Sequence, residues 1–178
     1  MGTWRNPPKV SAALSIVVMG VSGSGKTTIG EALARTLHFE FVDADWLHSH
    51  DNREIMASGQ ALDDARRLPW LHAVGEQLRD ARARGVGLVC ACSALKKAYR
   101  DVFRDYVSDV FFLHLDGSPE LLEERLKARH HEFMPASLLG SQLATLEPLG
   151  ADESGIRVDV SAAPSDIIER ALLAVGAS

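Results

Sequence analysis

The chain has 178 residues and a net charge of −5, from 19 Lys and Arg against 24 Asp and Glu. At 46% hydrophobic and 24% charged residues, the composition is that of one soluble globular domain, which excludes a disordered chain; the acidic balance excludes a global basic field for nucleic acid. The longest apolar run, Ile16–Gly20 with Leu14 ahead of it, is far short of the roughly 20 residues that span a bilayer.

In chain order, residues 1–13 read as a flexible leader. They carry Trp4, Arg5, Asn6 and two prolines without an apolar segment behind them, so they do not form a signal peptide. Residues 14–178 read as a single domain. A strand over Leu14–Met19 leads into a helix over Lys26–Leu37, and a second strand covers Glu40–Val42. A long amphipathic stretch from about Ala65 to Arg84 ends at Gly85, placed as a glycine beyond a helix C-terminus. The strand Val86–Cys92 and the helix Leu95–Tyr106 follow, then the strand Val110–Leu115. Ser118, Pro119 and Glu120 supply a cap, a first-position proline and a first-turn carboxylate for a helix over Pro119–Arg129. A helix over Pro135–Leu146, a strand over Arg157–Val160 and a helix over Ser165–Val175 complete the chain. Strand-length apolar runs separated by helices require crossover connections, and hence an α/β fold with a mostly parallel sheet covered on both faces. Cys90 and Cys92 lie two apart in a strand run, too poorly placed for a mutual bridge, and read as buried thiols in a reducing cytoplasm.

Gly20-Val21-Ser22-Gly23-Ser24-Gly25-Lys26-Thr27 matches G-x-x-x-x-G-K-[ST], between a β-branched run and an amphipathic helix. Its glycines let successive backbone N–H groups close round an anion, and the helix after it adds its N-terminal dipole. Lys26 brings a charge to the β/γ-phosphates, and the Thr27 hydroxyl is a ligand for Mg²⁺. ATP is therefore the expected nucleotide, with Gly20, Val21, Ser22, Gly23, Ser24, Gly25, Lys26, Thr27 and Thr28 as its contacts. The chain has no N-K-x-D guanine-reading motif, which points to a compact kinase acting on a small molecule.

Asp43-Ala44-Asp45 stands at the end of the second strand, where open parallel sheets bind ligands. Strand alternation would put both carboxylates on one side, beside the phosphate loop if the first two strands are close. Asp43 is then the candidate metal carboxylate with Thr27, and Asp45 the acceptor of the attacking hydroxyl's proton.

Several blocks together resemble the gluconate kinase (gluconokinase) family. They are Gly20–Thr27; Asp43–His48 with Asn52 and Arg53; Met56–Gly59; Leu62–Asp64 with Arg67; Pro69–Leu71; and Ala91–Lys97 with Tyr99–Asp101. Arg125-Leu126, Arg129, Phe133–Pro135, Ser141-Gln142 and Thr145–Pro148 continue the match, which runs collinearly over roughly residues 14–175. The resemblance implies ATP-dependent phosphorylation of D-gluconate on its 6-hydroxyl. It also implies a three-layer P-loop NTPase fold like that of the nucleoside-monophosphate kinases, with a five-stranded parallel sheet and a lid at about 125–145. A cytoplasmic homodimer is the family expectation. A polyhydroxylated carboxylate needs cations together with donors and acceptors. His48, Arg53, Arg67 and Lys96 are the candidate acceptor contacts beside Asp45, the two arginines gripping the carboxylate. Arg125 and Arg129 share a helix face leading into the lid; Arg129 is assigned the charge-neutralising role on the transferred phosphoryl group and Arg125 a nucleotide contact. Adjacent His130 and His131 point apart and make no metal site.

Four positions depart from the family pattern: Ser49, Ile55, Arg66 and Glu132. They are expected on the acceptor rim and the lid, which leaves nucleotide use firmer than acceptor identity. Another small-molecule kinase, resembling shikimate kinase or acting on a related sugar acid, stays open, as does a nucleotide-binding regulator without transfer activity.

Overall fold

The structure is a computed structural model and describes Ser11, residues 13–128 and residues 137–176. Most of the expected leader, and the lid segment 129–136, lie outside the described residues. The elements run β1 (Ser15–Met19), α1 (Lys26–Leu37), β2 (Glu40–Asp43), a 3₁₀ turn (Ala44–Leu47), α2 (His50–Ala57) and α3 (Asp64–Ala83). They continue β3 (Leu88–Ala91), α4 (Lys97–Tyr106), β4 (Phe111–Asp116), α5 (Pro119–Ala128), α6 (Ser137–Thr145), β5 (Gly155–Asp159) and α7 (Pro164–Gly176). The five strands form one sheet in the order β2-β3-β1-β4-β5, with every adjacent pair parallel.

The apolar strand runs are continuous because the sheet is buried on both sides. Alternate residues divide between two cores. Ile16 and Val18 of β1, Val89 of β3, and Phe111, Leu113 and Leu115 of β4 join Leu33 of α1 and Ala171 of α7. Val17 and Met19, Cys90 and Phe112 face the other way, onto Trp70, Leu71, Val74 and Leu78 of α3 and Phe103 of α4. Gly75 lets α3 and α4 touch, since a Cβ there would meet the Tyr106 ring at 2.3 Å.

Turn chemistry closes the elements as expected from sequence. Gly85, at φ 71°, follows α3, and the Val86 N–H reaches back to the Ala81 carbonyl at 3.0 Å. The Leu121 N–H donates to Ser118 Oγ at 3.3 Å, capping α5. Helix α2 is the element that hydrophobic periodicity does not reveal, because only Ile55 and Met56 are large and apolar in HDNREIMA. Its start is set by Ser49, whose Oγ accepts from the Asn52 N–H at 3.2 Å, with Asp51 in the first turn.

The thiols of Cys90 and Cys92 are free and buried. Burial, with neighbouring carboxylates and the other thiol, pushes Cys90 well up; burial pushes Cys92 up to about 12. Both sulfurs are therefore protonated.

A buried cation fastens the far end of the molecule. Arg100 has no solvent exposure; its Nε donates to Glu153 Oε1 at 2.6 Å and its Nη2 to Oε2 at 3.0 Å. The same guanidinium donates to the carbonyls of Ala94, Glu147 and Pro148 at 3.0, 3.2 and 3.0 Å. Burial raises the Glu153 carboxyl, but Arg100 and the Gly150 N–H outweigh it and hold the group below its usual 4.5. The resulting stability is present above the unfolded-state value and is lost as pH falls through the folded one. Glu153→Leu strands the Arg100 charge and should lower the unfolding free energy by about 3–5 kcal/mol. Lys97→Ala, which removes exposed pairs to Asp101 and Asp152, should cost far less, because solvent screens both pairs. Urea unfolding at pH 7 measures both, and equal losses would deny Arg100 its fastening role.

Candidate active site

The phosphate loop connects β1 to α1. Gly20 takes φ 145°, and a Cβ there would lie 2.6 Å from the Leu115 carbonyl oxygen, so only glycine fits between loop and sheet. Its N–H donates to Ser93 O at 3.3 Å, tying the loop to the end of β3. Gly25, at φ 91°, is the N-cap of α1, and no side chain caps that helix; its first N–H groups face the loop as donors for an anion. The side chain of Val21 is buried in the core and that of Ser24 is buried as well, so these two contribute backbone to the cradle. Lys26 Nζ donates to Val21 O at 3.1 Å, folded back along the loop.

Thr27 Oγ1 donates to Asp43 Oδ2 at 2.9 Å. β2 pairs with β3, not with β1, so it is α1, whose Gly30 lies against Phe41 of β2 and Val89 of β3, that brings Thr27 to Asp43. Nor do Asp43 and Asp45 share a strand face. β2 ends at Asp43 and Asp45 belongs to the 3₁₀ turn, whose start is capped by Asp43 Oδ1 accepting from the Asp45 N–H at 3.0 Å. The cap, not strand alternation, sets the two carboxylates side by side.

His48 follows that turn and is buried, its ring stacked on Trp70 at 4.2 Å and 11°. Trp70 is in turn held by its Nε1–H donating to Ala44 O at 2.7 Å. Desolvation, with Arg67 and Arg53 near, lowers the His48 pKa to about 4. The imidazole is thus neutral at physiological pH, and its Nδ1 is a buried polar atom without a hydrogen-bond partner.

One cleft of about 800 Å³ gathers Lys26, Thr27, Thr28, Asp43, Asp45, His48, Arg53 and Arg67, together with Ser22, Gly23 and Gly25 of the loop. Arg67 is braced, its Nε donating to Leu62 O at 3.1 Å. Two expected contacts are held elsewhere. Lys96 is outside the cleft lining and pairs with Asp64 at 2.8 Å; Lys96 and Arg67 flank the Tyr99 ring at 5.4 and 5.8 Å. Arg125 Nη2 donates to Val160 O at 2.7 Å, toward the end of β5. Arg129 lies outside the described residues. Ser141, Gln142 and Thr145, which belong to the blocks of the resemblance but carry no expected site role, form with Leu138 the α6 wall of the cleft. Their i, i+3, i+4, i+7 spacing was the available signal.

Three of the departing residues lie elsewhere than expected. Ser49, Ile55 and Arg66 line a separate cavity of about 550 Å³ on the far side of α2, with Asn52, Pro69 and Trp70, and none of the three lines the cleft. They lie off the cleft, not on its rim, which corrects the expectation drawn from them. Glu132 falls outside the described residues.

A family model described as an AAA domain matches residues 16–149. A gluconokinase of Gluconobacter oxydans (strain 621H) is 47% identical over 154 residues, covering 86% of each chain. A crystal structure of a sugar kinase from Janibacter sp. HTCC2649 superposes with a TM-score of 0.87 at 49% identity, covering 90% of this chain and 92% of that one. That of a gluconokinase from Sinorhizobium meliloti 1021 gives 0.84 at 41% identity, covering 93% of both.

The buried imidazole makes stability pH-dependent. The unfolded chain takes up the His48 proton near 6.5, the folded chain only near 4, so stability present at neutral pH is lost as pH falls through this window. Between pH 7 and pH 5 the parent chain should lose on the order of 2 kcal/mol more than His48→Gln. Urea unfolding at the two pH values measures the difference; parallel losses would place a charged His48 in the fold.

Proposed function

The chain belongs to the gluconokinase family of P-loop kinases, and from that premise we propose that it transfers the γ-phosphoryl group of ATP to the 6-hydroxyl of D-gluconate, giving 6-phospho-D-gluconate and ADP. The observation that carries this reading is a single cleft with a phosphate loop on one wall and Asp45, His48, Arg53 and Arg67 on the other. Arg53 and Arg67 offer planar donors to the acceptor's carboxylate. The neutral His48, which lines the cleft, hydrogen-bonds a hydroxyl of the acceptor and does not act as a cation. Asp45 accepts the proton of the 6-hydroxyl as its oxygen bonds to the γ-phosphorus, and the bond from that phosphorus to the β–γ bridging oxygen breaks to release ADP.

Lys26 and the loop amides stabilise charge on the phosphates, and Arg129, outside the described residues, is assigned the same task on the transferred phosphoryl group. Arg125 supports the nucleotide from the β5 side, and Lys96 acts at the acceptor end through Tyr99 and Arg67. The hydroxyl of Thr27 and the carboxylate of Asp43 are hard oxygen donors 2.9 Å apart and fit Mg²⁺; bound there, the ion supplies charge neutralisation at the β- and γ-phosphates. The protonated thiols fit a reducing cytoplasm, and no helix among the described residues is long and apolar enough to cross a membrane. We assign a homodimer on the family resemblance.

Asp45→Asn should lower kcat roughly 10²- to 10⁴-fold while ATP binding stays near that of the parent chain, because binding and proton transfer use different groups. Coupled ADP-release assays against gluconate, shikimate and other sugar acids, with calorimetry for ATP, measure this. A parent chain that releases ADP with another acceptor but not with gluconate would overturn the assignment.

A further inference from the structure

The phosphate loop holds a hydrogen bond that its motif does not explain. The Ser22 N–H donates to Gln142 Oε1 at 2.7 Å, joining the loop to α6 across 120 residues of sequence. An N–H can only be met by an acceptor, so the geometry identifies the amide oxygen, not its nitrogen, as the atom facing the loop. A phosphate oxygen seated in the loop requires donors of the same kind, and Ser22 lines the cleft beside Gly23, Gly25 and Lys26. The side-chain oxygen and a phosphate oxygen are therefore competitors for one donor.

Gln142 is well placed to release that donor without unfolding anything. The C-terminal end of α6 is fixed: the Glu147 N–H donates to Leu95 O at 2.8 Å, Glu147 Oε2 accepts from the Lys97 N–H at 2.6 Å, and Arg100 holds the carbonyls of Glu147 and Pro148. Leu139, on the same helix, is buried in the core. What can move at low cost is the glutamine side chain itself, through rotations between staggered wells.

We propose that Gln142 is a positioning residue that satisfies the Ser22 N–H with a neutral acceptor and yields it to the nucleotide's phosphate chain. In so doing it links occupancy of the loop to the α6 wall of the cleft. The inference rests on the phosphoryl-transfer reading above. Part of the nucleotide's binding energy goes into breaking the internal bond, and the bond keeps the loop amide oriented while the cleft exchanges ligands.

Gln142→Leu removes the competing oxygen at similar size, and Gln142→Glu keeps an acceptor there but adds a charge that repels phosphate. Calorimetry with ADP and a non-hydrolysable ATP analogue, each with Mg²⁺, should find Gln142→Leu binding roughly two- to tenfold tighter than the parent, the span of one net hydrogen bond. Gln142→Glu should bind at least several-fold more weakly, more so for the triphosphate analogue. The ligand-free melting temperature of Gln142→Leu should fall while its rise on adding ADP grows, a split that a merely structural role would not produce. Far-UV circular dichroism checks that both variants fold. If Gln142→Leu binds nucleotide with the parent's affinity or more weakly, the competition does not exist and the inference is overturned alone. A folded parent chain that takes up no nucleotide overturns the phosphoryl-transfer reading, and this one with it.

Discussion

The hydrogen bond from Thr27 to Asp43, at 2.9 Å, is the constraint on which the site depends, because it ties the first turn of α1 to the end of β2. β3 lies between β1 and β2, and α1, which leaves the end of β1, crosses over β3 to pack on β2 and β3, with Gly30 against Phe41 of β2 and Val89 of β3. The end of β3 receives the Gly20 N–H through the Ser93 carbonyl, and the Cys92 N–H donates back to Val18 O at 3.0 Å. Loop, carboxylate and strand are thus one hydrogen-bonded unit. The other Asp43 oxygen accepts from the Asp45 N–H, so one carboxylate both meets Thr27 and fixes the turn that carries Asp45.

The two walls of the cleft are held by different means. The phosphate-loop wall is largely backbone, positioned by the sheet and by glycines that close approach demands. The opposite wall is built of side chains backed by other side chains: His48 on Trp70, Trp70 on the Ala44 carbonyl, and Arg67 on the Leu62 carbonyl and the Tyr99 ring. Burial keeps the imidazole neutral, which avoids a third positive charge near Arg53 and Arg67.

Much of this was legible in the residues. The paired apolar runs carry both cores, because a parallel strand covered on both faces must be apolar throughout, and the phosphate motif carries its own geometry. Strand order was not legible, since nothing local says that β3 inserts between β1 and β2. Asp45 was placed on a strand although it sits on a 3₁₀ turn, because Asp43 acts as a cap and ends the strand; Asp-x-Asp is as much a capping pattern as a strand pattern. Helix α2 was hidden by its polarity. Ser49, first read as a departure, proves to be the residue that starts it. Side-chain direction was the least accessible quantity: Arg125 and Arg53 look alike in sequence, yet one meets a carbonyl beyond β5 and the other faces the cleft.

The two sulfurs at the end of β3 have a consequence apart from catalysis. Cys90 sits in the strand flanked by β1 and β2 and Cys92 one residue beyond it; both are shielded and protonated, so a reagent in solvent meets them only when the middle of the sheet parts. Their alkylation rate is therefore a built-in clock for that opening, and the Cys92 rate also reports how firmly the adjoining loop is anchored.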